Sequence, residues 1–146
     1  MKLSKIVVAT DFSDNSLPAL ETALSLSQET GAELHLLHVV EMFGGGDSAL
    51  LSASDAIEVI YSRTREQLRE LIPDNLPEDL KVKTAATTGK ATSEIALYAQ
   101  RCGADMIVVG THGRKGLSRM LMGSTAESLL REAPCQVLVV KPRSKG

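Results

Sequence analysis

Between Asp105 and Thr125 the chain reads D-M-I-V-V-G-T-H-G-R-K-G-L-S-R-M-L-M-G-S-T, an apolar run that breaks at Gly110 into a basic loop. Gly110, Gly113, Gly116 and Gly123 punctuate it. Glycine permits backbone angles closed to other residues and lets the main chain approach a ligand closely. Arg114, Lys115 and Arg119 add positive charge and donors suited to phosphate oxygens. Ser124 and Glu127 have the Ser-x-x-Glu spacing of a capping box, which predicts a helix N-terminus at Ser124. N–H groups at such an end, with the positive end of the helix dipole, favour an anion. The chemistry these residues suit is the gripping of phosphate groups. A solvated connection has a similar composition, so the surrounding elements decide.

The elements are legible from periodicity. Ile6-Val7-Val8-Ala9 is a β-branched apolar run, as in a strand covered on both faces, and it ends at Thr10-Asp11-Phe12-Ser13. Leu17, Leu20 and Leu24 mark a helix whose cap lies within Ser13 to Ser16, because Pro18 fits only a first turn. Gly31 closes it, and Glu33 to Val40 is the second strand. Gly44-Gly45-Gly46 and the stretch to Ser54 form a loop. A second helix covers Asp55 to Leu71, with Ile57, Ile60, Thr64, Leu68 and Leu71 on one face. Leu80 to Thr84 alternates as an edge strand does, and Ile95, Ala99 and Cys102 line a third helix ended by Gly103. Met106 to Val109 is a buried strand. Ala126, Leu129, Leu130 and Ala133 stripe a fourth helix, and Gln136 to Lys141 is the last strand.

Five strands alternating with four helices predict one doubly wound α/β domain over residues 1–146, with an open parallel sheet in the order 3-2-1-4-5. Such sheets bind ligands at strand carboxyl ends where the winding reverses. Asp11 and Gly110 both fall at carboxyl ends, and that order makes their strands neighbours around one crevice. Context therefore favours the phosphate reading.

Composition narrows the partners. Sixteen basic and eighteen acidic residues give a net charge of −2, which argues for neither nucleic acid nor a membrane surface. No Trp and few other aromatics weaken any base-stacking platform. Cys102 and Cys135 lack CxxC spacing and read as reduced, buried thiols. The first apolar run is too short for a signal peptide or a span, so the expectation is a cytoplasmic protein.

Neither GxxxxGK[ST] nor GxGxxG occurs. What does occur, Gly110-x2-Gly113-x9-Gly123-Ser124, resembles the ATP-binding signature of the universal stress protein family. The resemblance runs from Ile6-Val7-Val8-Ala9-Thr10-Asp11-Phe12-Ser13 through His35-Leu36-Leu37-His38-Val39-Val40 to Ala133-Pro134-Cys135-Gln136-Val137-Leu138-Val139-Val140. It implies an ATP-binding regulatory module in stress response, not an enzyme, with Mg2+ held chiefly by the phosphates. It also implies site roles. Ala9 (proline in many members) and Asp11 approach the nucleoside, Val39 packs on adenine, and Val109 and Gly110 lie beneath the ribose. Gly113, Gly123, Ser124 and Thr125 then donate to phosphates; Arg114 joins them on charge alone. Family members pair through the last strand, so Val137 to Val140 is the expected homodimer seam. An unidentified protein partner would fit a sensing role.

Rival readings are weaker. A slow ATPase would need a positioned base, for which only Asp11 and His112 offer themselves. A nucleotide-free interaction module would use the loop merely as a surface. A receiver-like phosphoacceptor needs clustered carboxylates, and Ala85-Ala86-Thr87-Thr88 supplies none. Asp11 also has a plain structural use, capping the turn after its strand. His112 suits a loop-ordering hydrogen bond, and His35 and His38 read as packing residues within a strand.

Overall fold

The computed structural model describes residues 2–41, 53–112 and 122–142. In chain order these form β1 (Lys5–Ala9), a 3-10 turn (Asp14–Ser16), α1 (Leu17–Thr30) and β2 (Glu33–Val40). Then come α2 (Ala53–Leu71), β3 (Val82–Thr88), α3 (Ala91–Cys102), β4 (Met106–Gly110), α4 (Ser124–Glu132) and β5 (Gln136–Val140). The strands form one parallel sheet in the order β3-β2-β1-β4-β5, as expected.

The two apolar runs are apolar on every residue because helices cover both faces of their strands. Ile6, Val7, Val8, Ile107 and Val108 have no exposed surface at all. Alternate side chains feed two cores. Ile6, Val8, Leu34 and Leu36 pack with Leu20 and Leu24 of α1 and Leu68 of α2. Val7, Leu37, Val39, Ile107 and Val109 pack with Ile95 of α3 and Leu129 of α4. Gly31 ends α1 in the left-handed conformation at φ 77°, donating its N–H to the Ser27 carbonyl.

Three local expectations differ from the fold. β3 is Val82–Thr88, not Leu80 to Thr84. Ala85 and Ala86 have weak strand preference, but Leu37 to Val40 of the long β2 pair one for one with Ala85 to Thr88, and pairing overrides propensity. α2 begins at Ala53, two residues before the expected Asp55. The Ser124–Glu127 capping box does not form. Gly123 is the N-cap of α4, with no side-chain cap, and the Glu127 carboxylate pairs forward with Arg131 at 3.2 Å. An (i, i+4) cation in the last turn competes well for an exposed carboxylate.

Candidate functional site

β1 and β2 run in register to Ala9 and Leu37, and the Thr10 N–H adds a last rung to the Leu37 carbonyl at 2.9 Å. There the chain turns away. Phe12 sits at φ 67°, the one non-glycine residue among those described with a positive φ, a conformation that bulky side chains adopt only when their surroundings impose it. Three side chains impose it here, those of Thr10, His38 and Asp11. The buried Thr10 hydroxyl accepts the Phe12 N–H at 3.0 Å and meets the Ser16 hydroxyl at 2.9 Å. His38 Nδ1–H donates to the Thr10 carbonyl at 2.7 Å, and the His38 ring lies 4.4 Å from the Phe12 ring. Asp11 Oδ1 accepts the Ser13 N–H at 2.9 Å and the Ser13 hydroxyl. The turn-capping use of Asp11 is thus realised, and it holds the carboxylate on the rim of the crevice.

β4 ends beside this turn. A Cβ at Gly110 would lie 2.9 Å from the Asn15 carbonyl oxygen, so glycine is required there by the main chain of the 3-10 turn. The Thr111 N–H donates to the Val140 carbonyl at 3.2 Å, and the Thr111 carbonyl accepts the Gly123 N–H. This second bond seats the start of α4 beside the end of β4. The Gly123 N–H thereby closes the loop. The donors that follow are on Ser124 and Thr125, in a first turn without a side-chain cap. Their N–H groups belong to the unpaired set that makes a helix start attractive to anions. The Thr111 hydroxyl lies 3.0 Å from His112 Nδ1, the loop-ordering bond anticipated for that ring.

The fold therefore gathers Ala9, Asp11, Val109, Gly110, Gly123, Ser124 and Thr125 around the carboxyl ends of β1 and β4. Val39 stands one strand over and is 9% exposed, so its side chain is mostly committed to the core. Gly113, Arg114, Lys115, Gly116 and Arg119 lie outside the described residues, as does Gly44-Gly45-Gly46. From sequence, Thr10 and Ser16 had no role at the site, and His38 read as a packing residue. The available signal was a polar side chain at each end of an otherwise apolar strand, which is costly unless it is hydrogen-bonded.

Cys102 and Cys135 are free thiols, half-buried where full burial was expected, and desolvation pushes the pKa of each upward. Among the described residues no cluster of three His, Cys, Asp or Glu could hold a metal, and no helix is long and apolar enough to cross a membrane.

Comparison with known proteins gives a family and a fold. The model of the "Universal stress protein family" matches residues 2–141. Universal stress protein MJ0531 of Methanocaldococcus jannaschii is 37% identical over 147 residues, covering 97% of this chain and 84% of the relative. Among solved structures, MJ0577 of the same organism superposes with a TM-score of 0.76 at 25% identity, covering 99% of this chain and all of the other. A universal stress protein of Archaeoglobus fulgidus, solved in complex with dAMP, superposes with a TM-score of 0.60 at 23% identity over 97% of this chain and 100% of its own.

Proposed function

The chain belongs to the universal stress protein family, and from that premise we propose that it binds ATP, with Mg2+, as a regulatory module of the cytosolic stress response. The observation that carries this reading is the Gly123 N–H to Thr111 carbonyl bond. It sets an uncapped helix start at the switch point of a parallel sheet, where Asp11 already stands. The triphosphate lies against the N–H groups and hydroxyls of Ser124 and Thr125. The nucleoside lies over Ala9, Val109 and Gly110 toward Val39. Mg2+ enters on the phosphates, with Asp11 as the nearby carboxylate. The A. fulgidus relative, solved with dAMP, supports an adenine nucleotide as the ligand class.

The protein acts as a homodimer through β5. That strand closes one edge of the sheet, and its even-numbered residues point their peptides at β4, as the Val140 carbonyl does. The peptides of Val137 and Val139 face outward, an edge that no other strand among the described residues covers and that a second copy pairs with.

Gly123→Val tests the nucleotide reading. Gly123 has φ −62° and ψ 152°, angles open to valine, so the backbone accepts the change while the branched side chain crowds the phosphates. Titration calorimetry with ATP and Mg2+ is expected to show binding by the wild type and loss of at least about tenfold in the variant, or about 1.4 kcal/mol. No heat of binding by the wild-type protein at millimolar ATP refutes the reading.

A further inference from the structure

We propose that His38 is a positioning residue for the ligand: by taking the Thr10 carbonyl, it keeps the peptide of Val39 out of the β1–β2 ladder and turned toward the crevice. The role in binding rests on the nucleotide reading above; the placement of the Val39 peptide does not. Rungs of a parallel ladder follow a fixed alternation. After the Thr10 N–H to Leu37 carbonyl bond, the next rung would carry the Val39 N–H to the Thr10 carbonyl. That carbonyl instead accepts His38 Nδ1–H at 2.7 Å.

The parity of β2 shows which way each peptide points. Leu37 bonds toward β1, and Val40 bonds toward β3, where its carbonyl accepts the Gly89 N–H at 3.0 Å. Val39 has the parity of Leu37 and faces β1. Beyond Thr10, however, β1 has departed through the left-handed Phe12, whose ring packs on the His38 ring. The Val39 N–H and C=O thus border the gap that opens between the diverging strands, a donor beside an acceptor as the edge of a base requires. One imidazole does both jobs. Its face holds the strained Phe12 turn open, and its N–H occupies the carbonyl that would otherwise draw Val39 back into the sheet.

Two substitutions separate those jobs. His38→Phe keeps a ring against Phe12 and drops the donor; His38→Asn keeps an N–H near the Nδ1 position. Amide hydrogen exchange of the full chain without nucleotide, read by NMR, reports the Val39 peptide directly. In the wild type the Val39 amide should exchange at least about tenfold faster than the Leu37 amide, because it lacks a ladder partner. In His38→Phe it should slow by about tenfold as the Thr10 carbonyl becomes available, and in His38→Asn it should stay fast. Calorimetry with ATP and Mg2+ should show about tenfold weaker binding by His38→Phe and binding within about threefold of wild type by His38→Asn. A wild-type Val39 amide protected as strongly as that of Leu37 overturns the proposal, and so does wild-type affinity in His38→Phe. If His38→Phe does not fold, the wild-type exchange comparison still decides. Val39 exchange as stated with no ATP binding by any form would support the placement and refute the nucleotide reading.

Discussion

At the scale of single residues, the glycines of the loop were visible as a spacing, but the reasons for them were not. Gly110 was expected to make room for a ribose; the nearest claim on that space is the Asn15 carbonyl, 2.9 Å from where a Cβ would stand. Asn15 is far away in sequence, so no local pattern could have shown the contact. Ser124-x-x-Glu127 failed in the opposite direction: a real local pattern was outcompeted by Arg131, whose side chain reaches the same carboxylate at 3.2 Å. Asp11 kept the plain role weighed for it, as acceptor for Ser13. The Gly110 contact has a measurable consequence. Gly110→Ala presses a methyl on a main-chain carbonyl that can yield only by moving the 3-10 turn, so the variant should lose about 1–3 kcal/mol of stability. Urea denaturation measures this, and a midpoint unchanged from wild type would mean that the turn is free to shift.

At the scale of elements, the central strands and the amphipathic helices were legible because burial on two faces or on one stripe leaves its period in the chain. β3 was not, since Ala85-Ala86-Thr87-Thr88 carries neither period nor bulk and is held as a strand by pairing with His38, Val39 and Val40 across the sheet. β5 was placed correctly, and its geometry makes the dimer seam testable without damaging the sheet. The Val139 peptide points away from β4, because Val140 and its even-numbered neighbours make the rungs. Proline at an outward position of an edge strand removes a donor from the seam but none from the internal ladder. Val139→Pro should therefore give a folded monomer. Light scattering at micromolar concentration should read about half the wild-type mass, with the helical circular dichroism retained. A folded variant that stays dimeric would place the seam elsewhere.

At the scale of the whole molecule, the alternation of strands and helices made the doubly wound class readable, while the order β3-β2-β1-β4-β5 is one of several that right-handed β-α-β connections allow. What ties the layers together at the far end of the sheet was not readable. His35 was expected to be a packing residue, yet it is buried inside a polar network that joins three elements. Its Nδ1 lies 2.6 Å from the Tyr98 hydroxyl on α3, and its Nε2 lies 3.1 Å from Glu33. Glu33 in turn pairs with Lys83 of β3 at 2.9 Å. Burial holds the His35 pKa below its ordinary 6.5, with the Lys5 and Lys83 charges adding to the effect against the pull of Glu33. The hydrogen bond from Lys83 holds Glu33 below its ordinary 4.5. A histidine depressed in the folded state binds fewer protons folded than unfolded, so acidification from pH 7.5 favours the unfolded chain. That loss begins near 6.5 and continues until the folded ring is also protonated; the share from Glu33 is lost below 4.5. One proton bounds the slope at about 1.4 kcal/mol per pH unit. The difference between the wild type and a variant without the His35 imidazole isolates the network. His35→Gln, neutral throughout, should show a shallower fall in urea midpoint between pH 7.5 and 5.5 than the wild type. Parallel falls in the two proteins would mean that the acid sensitivity arises elsewhere and that His35 meets the same environment folded and unfolded.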